Sequence, residues 1–294
     1  MTTVGVIGLG NMGLGMALTL QRKQFEVTGF DALPAARGKA LAAGLAVADS
    51  VAALAARVDV LVLSLPTSGI VEQVVLGDGG VLLAARPGLV VIDTTTASPA
   101  STRKVAAALA ARGVALIDGP VSGGPKGAAN GTMTMVLGGD AAVIADCLPV
   151  IQALSAKHVH VGPTGAGHVT KLLNNLLCGA QLALAGEAER IARAAGLDPQ
   201  QVFEGINAGS GRSAATQVNY PTWVFNDAFD SGFTMKLMRK GIGLAMDLLA
   251  QTGATAALSQ AAGDLWAASA AALADGEDFN RIVAFEGDRT TTGA

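Results

Sequence analysis

Gly8-Leu9-Gly10-Asn11-Met12-Gly13 stands directly after a short apolar run, residues 4–7, and directly before a stretch with apolar positions at helical spacing. A strand that turns through glycines into a helix narrows the choice of folds more than any other feature of this chain. At this spacing each glycine has its own duty. Gly8 makes the tight turn, Gly10 lets a pyrophosphate approach the backbone, and Gly13 lets the helix pack on the strand. The helix N-terminus then offers N–H groups and partial positive charge to phosphates. A glycine turn of purely structural use explains the turn, but not its place between a strand, a helix and a second strand.

Asp31 ends that second strand, 18 positions after Gly13. A carboxylate there accepts hydrogen bonds from adenosine ribose hydroxyls and repels a 2′-phosphate, which favours NAD over NADP. The nearest arginine, Arg37, reads as lying well into the next helix. The other use for Asp31 is as a cap of that helix.

The first half alternates runs rich in Val, Leu and Ile (4–7, 26–30, 58–64, 89–92 and 115–117) with helical stretches (13–23, 35–43, 51–55 and 100–112). Continuous apolar strands are those buried on both faces, and their alternation with helices predicts a parallel sheet covered on both sides. Residues 133–137 and 159–161 read as further strands, with a helix over 141–151 between them. After Gly165 strand-like runs cease, and helices are predicted over 166–195, 199–206, 233–251 and 256–274. The expected architecture is therefore α/β: a doubly wound, mostly parallel sheet of Rossmann type over residues 1–163, then an all-α domain over 164–294, joined by a long helix. The last residues, 288–294, are small and polar and read as a disordered tail.

Composition excludes several functions. Lys and Arg number 20 against 23 Asp and Glu, a formal charge of −3, without the basic excess that nucleic acid binding requires. Mean hydropathy is high at +0.46. Small residues account for it, and no run of about 18 apolar residues is long enough to span a membrane. The first strand has no basic segment before it, so it does not read as a signal peptide. Cys147 and Cys178 lack metal-ligand or disulfide-framework spacing and read as reduced, buried thiols of a cytoplasmic protein. His158, His160 and His168 read as structural or solvent-facing, and no metal site is expected.

Two segments carry candidate chemistry. Asp118-Gly119-Pro120-Val121-Ser122-Gly123-Gly124 follows a strand and offers successive N–H groups and a hydroxyl to an anion such as a carboxylate; a flexible loop is the alternative. Lys171 and Asn175, four residues apart on one helix face, stand among Leu172, Leu173, Leu176 and Leu177. Apolar surroundings favour the neutral amine, which can exchange a proton; otherwise the stem lies on apolar surface and the ammonium reaches water. Leu65-Pro66 and Thr94-Thr95-Thr96 close strands where open α/β sheets bind ligands, or serve as ordinary turns. Arg212, in the 209–213 loop, reads as a surface or subunit contact in preference to a substrate contact.

Taken together, the 8–13 fingerprint, the 118–124 loop, the 165–175 segment and a C-terminal 233–245 segment resemble the β-hydroxyacid dehydrogenase family over nearly the whole chain. That family holds 3-hydroxyisobutyrate dehydrogenase, tartronate semialdehyde reductase, L-threonate dehydrogenase and L-serine dehydrogenase. The resemblance implies Lys171 as the catalytic residue and Asn174, Asn175, Ser122, Gly123 and Gly124 as substrate contacts. It implies Gly8, Leu9, Gly10, Asn11, Met12, Gly13, Asp31, Leu65, Pro66, Thr96 and Lys240 as contacts of NAD, with NADP as the other candidate. It also implies a small carboxylate-bearing hydroxy acid as substrate and a homodimer or homotetramer. Two positions depart from the family pattern: Gly241 follows Lys240 where an Asp is usual, and Ile70 replaces an Asn. Oxidation of a 3-hydroxy acid to a semialdehyde or keto acid is thus expected. The competing readings are an NADPH-dependent reductase of a semialdehyde or imine and a nucleotide-binding sensor without catalysis.

Overall fold

A computed structural model describes residues 2–286 of the chain. The tail expected over 288–294 lies outside the described residues. Two compact units divide after Lys171, within a helix that runs unbroken over Ala166–Ala194.

The first unit is built on nine strands: β1 (Thr3–Ile7), β2 (Glu26–Phe30), β3 (Ala46–Val47), β4 (Val60–Leu63), β5 (Val90–Asp93), β6 (Ala115–Asp118), β7 (Val121–Ser122), β8 (Met133–Gly138) and β9 (Ser155–Gly162). Their order is β3-β2-β1-β4-β5-β6-β8-β7, with β9 also on β8. The first six are parallel, β8 runs antiparallel to β6 and β7, and β9 is parallel to β8. The mostly parallel, doubly wound sheet expected from the sequence is the one found. Strand β4 shows why its run is continuously apolar. Val60 and Val62 join the core on one face with Val4, Leu20 and Ile117, while Leu61 and Leu63 join the other with Val105 and Leu109. Each such side chain contributes about 1.5–3 kcal/mol by leaving water. The order reverses beside β1, and the crevice outside the strands' carboxyl ends at such a reversal is where open α/β sheets take ligands.

Several short elements were not expected. The helix predicted over 141–151 is two, Ala141–Asp146 and Leu148–Leu154. Pro149 explains the break, since it lacks an N–H and its ring clashes with the carbonyl four residues earlier, so it fits only a first turn. Helix Ser68–Leu76 begins where the Thr67 hydroxyl accepts the Ile70 N–H, which places Ile70 in a helix. Helix Gly124–Asn130 occupies a stretch over which no element was expected.

The second unit, by itself, is helical: Pro199–Ala208, a π-helix at Ala215–Val224, Met235–Thr252, Ala257–Ala268 and short 3-10 turns complete it. The last predicted helix stops six residues early, at Ala268 instead of 274, and passes into a 3-10 turn at Ser269–Ala271. Among the described residues its one β pairing is the bridge between Thr234 and Asp278. Leu176, Ile242 and Trp266 centre its core, beside a cluster in which the Phe203 and Tyr220 rings are 4.5 Å apart. Among the described residues no helix is long and apolar enough to cross a membrane.

Candidate active site

The turn after β1 separates its glycines by use. Gly8 has φ +92°, and a Cβ on it would stand 2.2 Å from the Ser64 carbonyl oxygen; a Cβ on Gly13 would stand 1.7 Å from that of Gly8. Both are dictated by close packing. Gly10 is exposed and a Cβ there would meet nothing within 4 Å, so its smallness serves no neighbour in the chain. It is the N-cap of helix Asn11–Arg22 and supplies no side-chain cap, which leaves the first amides of that helix without one. A cradle of this kind, open over an uncapped helix start, fits a dinucleotide pyrophosphate. Asn11 is exposed and Met12 half-buried at its mouth, whereas the Leu9 side chain is buried in the core.

Asp31 is tied into the same turn. Its Oδ2 accepts the Leu9 N–H at 2.7 Å and its Oδ1 the Leu33 N–H at 2.8 Å. The following helix, Pro34–Ala42, has Leu33 as N-cap without a side-chain bond, so Asp31 does not cap it. A carboxylate has about four lone-pair sites, so two remain for ribose hydroxyls. Arg37 departs from expectation. Although it sits in that helix, its guanidinium folds back and donates to the carbonyls of Asp31 at 2.7 Å and Ala32 at 3.1 Å.

The loops that end β4 and β5 are fastened to each other. The Leu65 N–H donates to Thr95 Oγ1 at 3.2 Å, and Thr94 Oγ1 donates to the Leu63 carbonyl at 2.6 Å. Thr96, half-buried, makes no side-chain hydrogen bond among the described residues, and Pro66 is exposed. Two of the three threonines are thus spent on the fold, and Thr96 is the one left facing outward.

Lys171 and Ser122 meet. Lys171 is 8% exposed, and its Nζ donates to Ser122 Oγ at 2.8 Å across 49 residues of sequence. Its ammonium therefore does not reach out along the surface to water. Ser122 closes β7, and Gly123 (φ +121°) and Gly124 (φ +61°) follow in conformations that a side chain would strain. The start of the lysine's helix lies directly on the sheet. A Cβ on Gly167 would stand 2.6 Å from the carbonyl oxygens of both Asp118 and Val136. The buried Asp118 carboxylate accepts the Gly165 N–H at 2.7 Å and the His168 N–H at 2.8 Å. Asp118 is one residue whose side chain holds the lysine's helix and whose main chain leads, four residues on, to Ser122. Sequence reasoning passed over this use, although an Asp at a strand end facing a Gly-x-Gly helix start is a visible signal. Beside it, burial pushes the Asp93 carboxyl above its ordinary range; Asp118 adds to the effect, while His168 and Thr95 oppose it.

In the second unit, Asn175 is 4% exposed and makes no side-chain hydrogen bond among the described residues. Asn174, its neighbour, is exposed. Lys240 is half-buried on helix Met235–Thr252, and Gly241 after it packs directly on Asn175. Arg212 is exposed and donates to the Gly209 carbonyl at 3.0 Å. Of the three histidines, His168 is wholly buried; His160 Nε2 lies 3.0 and 2.9 Å from the Gly139 and Gly162 carbonyls. Cys147 is buried as expected, but Cys178 only partly so.

The chain is similar to known proteins over most of its length. The family model for the NAD binding domain of 6-phosphogluconate dehydrogenase matches residues 3–162, and that for the NAD-binding of NADP-dependent 3-hydroxyisobutyrate dehydrogenase matches 165–285. The chain is 39% identical to 2-(hydroxymethyl)glutarate dehydrogenase of Eubacterium barkeri, covering 83% of this chain and 81% of that one. It is 37% identical to NAD-dependent L-serine dehydrogenase of Pseudomonas aeruginosa, covering 84% and 85%. The solved structure of Mycobacterium tuberculosis 3-hydroxyisobutyrate dehydrogenase with L-serine superposes with a TM-score of 0.91 at 38% identity, over 97% and 98% of the two chains. With both family models matched in order and relatives of this identity along most of its length, the chain belongs to the 3-hydroxyisobutyrate dehydrogenase-like family of β-hydroxyacid dehydrogenases, NAD(P)-dependent oxidoreductases acting on CH–OH groups.

Proposed function

We propose that this chain oxidises the primary alcohol of a small 3-hydroxy acid to the semialdehyde, with Lys171 moving the hydroxyl proton. The observation that carries this reading is the buried Lys171 Nζ held 2.8 Å from Ser122 Oγ. A buried amine beside a hydroxyl and a glycine turn supports this reading, since such a set can exchange a proton and bind a carboxylate. The names of the relatives fit the same substrate outline: 3-hydroxyisobutyrate, L-serine and 2-(hydroxymethyl)glutarate all carry a hydroxymethyl group on the carbon that bears the carboxylate.

The residues divide the work as follows. Ser122 and the Gly123 and Gly124 amides hold the carboxylate. Asn175, which makes no side-chain hydrogen bond among the described residues, hydrogen-bonds the substrate, with the exposed Asn174 beside it. Lys171, as the neutral amine, accepts the hydroxyl proton as the C–H bond of the same carbon gives up its hydride. NAD, when bound, supplies the hydride acceptor. Gly8, Gly10, Asn11, Met12 and Gly13 hold the pyrophosphate and Asp31 the adenosine ribose. Leu9 serves through its backbone, its side chain being in the core. Leu65, Pro66, Thr96 and Lys240 complete the cofactor contacts.

A homodimer or homotetramer is the assembly we favour. Leu173, Leu177, Leu184 and Ile191 are 47–69% exposed on a single stripe of the long helix, at spacings that suit pairing with a second copy. Sedimentation of the protein measures this. Substrate choice is tested by a panel of 3-hydroxyisobutyrate, L-serine, glycerate, threonate and a sulfonated analogue, each with NAD and NADP. Turnover of the hydroxymethyl acids with NAD supports the reading, and turnover of none of the panel contradicts it.

A further inference from the structure

We propose that His168 is a positioning residue that fastens the loops ending β4 and β5 to the segment of helix carrying Lys171. This rests on Lys171 being the proton carrier. The His168 ring is completely buried. Its Nε2 lies 2.7 Å from the Thr95 carbonyl oxygen, which can only accept, so Nε2 carries the hydrogen and donates. Its Nδ1 lies 2.7 Å from Thr102 Oγ1, a hydroxyl that also reaches the Ser98 carbonyl at 3.0 Å. Its backbone N–H donates to Asp118.

Followed outward, these bonds form one chain of contacts. Thr95, held by the imidazole, receives the Leu65 N–H on its own hydroxyl. Leu65 and Thr96 are the cofactor-side residues, and His168 precedes Lys171 by three positions on the same helix. A single ring therefore connects the strand ends that bear the cofactor contacts with the turn that bears the amine. An imidazole suits this place because its two nitrogens point in different directions on a rigid frame. An aliphatic side chain would leave the Thr95 carbonyl buried and unpaired. Proton and hydride transfer are sensitive to such fastening, because a displacement of about 1 Å can cost on the order of 100-fold in rate. His168 touches neither reactant in this account; its effect passes through Lys171.

The test uses the full chain with NAD and whichever of 3-hydroxyisobutyrate or L-serine it turns over. His168→Gln places an amide N–H where Nε2 stands and keeps the Thr95 bond, whereas His168→Asn reaches only Thr102. We expect His168→Asn to lower kcat at least tenfold while both KM values and the Kd for NAD stay within twofold. His168→Gln should retain kcat within threefold. Thr95→Val, which removes the acceptor for the Leu65 N–H, should show the same loss in kcat, and it carries the test if His168→Asn does not fold. Unchanged kcat in both His168→Asn and Thr95→Val overturns the proposal. So does an equal loss in the Asn and Gln variants, or a loss confined to KM. Lys171→Met separates the two levels: if it keeps turnover, the underlying reading fails, and if it is inactive while His168→Asn is normal, only the present inference fails.

Discussion

Gly241 leaves to Asn175 the space its own side chain would fill: a Cβ at 241 would stand 2.4 Å from Asn175 Nδ2 and 3.3 Å from its Cβ. A departure from the family pattern at one position thus fits the placement of a proposed substrate residue at another. Gly241→Ala should push the amide aside and lower kcat/KM for the hydroxy acid about tenfold, with NAD affinity unchanged. Alanine is favoured over glycine inside a helix by about 0.5–1 kcal/mol, so the loss is not one of folding. In an Asn175→Ala background the same substitution should cost nothing further, which a double-mutant cycle measures. Fully additive losses would uncouple the two residues.

In the proposed account, Asp31 and Arg37 set the choice of nucleotide. The carboxylate repels a 2′-phosphate, while the guanidinium, bonded to the Asp31 and Ala32 carbonyls, already stands at that corner. Asp31→Ser should therefore move the ratio of kcat/KM for NADP over NAD upward by at least tenfold, and adding Arg37→Ala should take much of that gain away. Initial rates with both cofactors check it.

The fingerprint glycines should separate stability from binding. Gly13→Ala, whose Cβ would meet the Gly8 carbonyl oxygen at 1.7 Å, should destabilise the protein by about 2 kcal/mol or more. Gly10→Ala, with open space around it, should change stability by no more than about 0.5 kcal/mol yet weaken NAD binding about tenfold. Thermal melts and NAD titrations of the two variants give the comparison.

Cys147 links stability to alkaline pH. Burial, with a smaller effect of Asp146, pushes its thiol up to about 11 from an ordinary value of 9.0. Between those values the unfolded chain loses the proton while the folded chain keeps it, so stability falls as pH rises through that window and the contribution is intact below it. Denaturant unfolding at pH 8 and pH 10.5 should show the fall, and Cys147→Ala should reduce it. Iodoacetamide at pH 8 should spare Cys147 until the protein unfolds.

The sheet was legible because strands buried on both faces announce themselves: β4 is Val-Leu-Val-Leu, and each residue has a core to enter. The helix Gly124–Asn130 was not, because its propensity argues for a loop, and what fixes it is Pro125 in the first turn and its packing on helix Asn11–Arg22, where Thr19 Oγ1 donates to the Ala128 carbonyl. At the site, residue types could be read but not their company. The bond between Lys171 and Ser122 spans 49 residues and exists because Asp118 lays the lysine's helix on the sheet. His168 read as a bland residue; its burial depends on Thr95 and Thr102, which stand 73 and 66 residues away. Arg37 read as remote because its distance along the helix says nothing of a long side chain folding back.

The central claim is that Lys171 carries the proton, and Lys171→Met tests it most directly. The substitution keeps much of the side chain's length and apolar stem while removing the amine. Assayed with NAD and the best hydroxy acid of the panel, it should lose on the order of 1,000-fold or more in kcat, within the range general acid–base catalysis supplies, while binding NAD with unchanged affinity. Turnover near that of the unsubstituted protein would contradict the account.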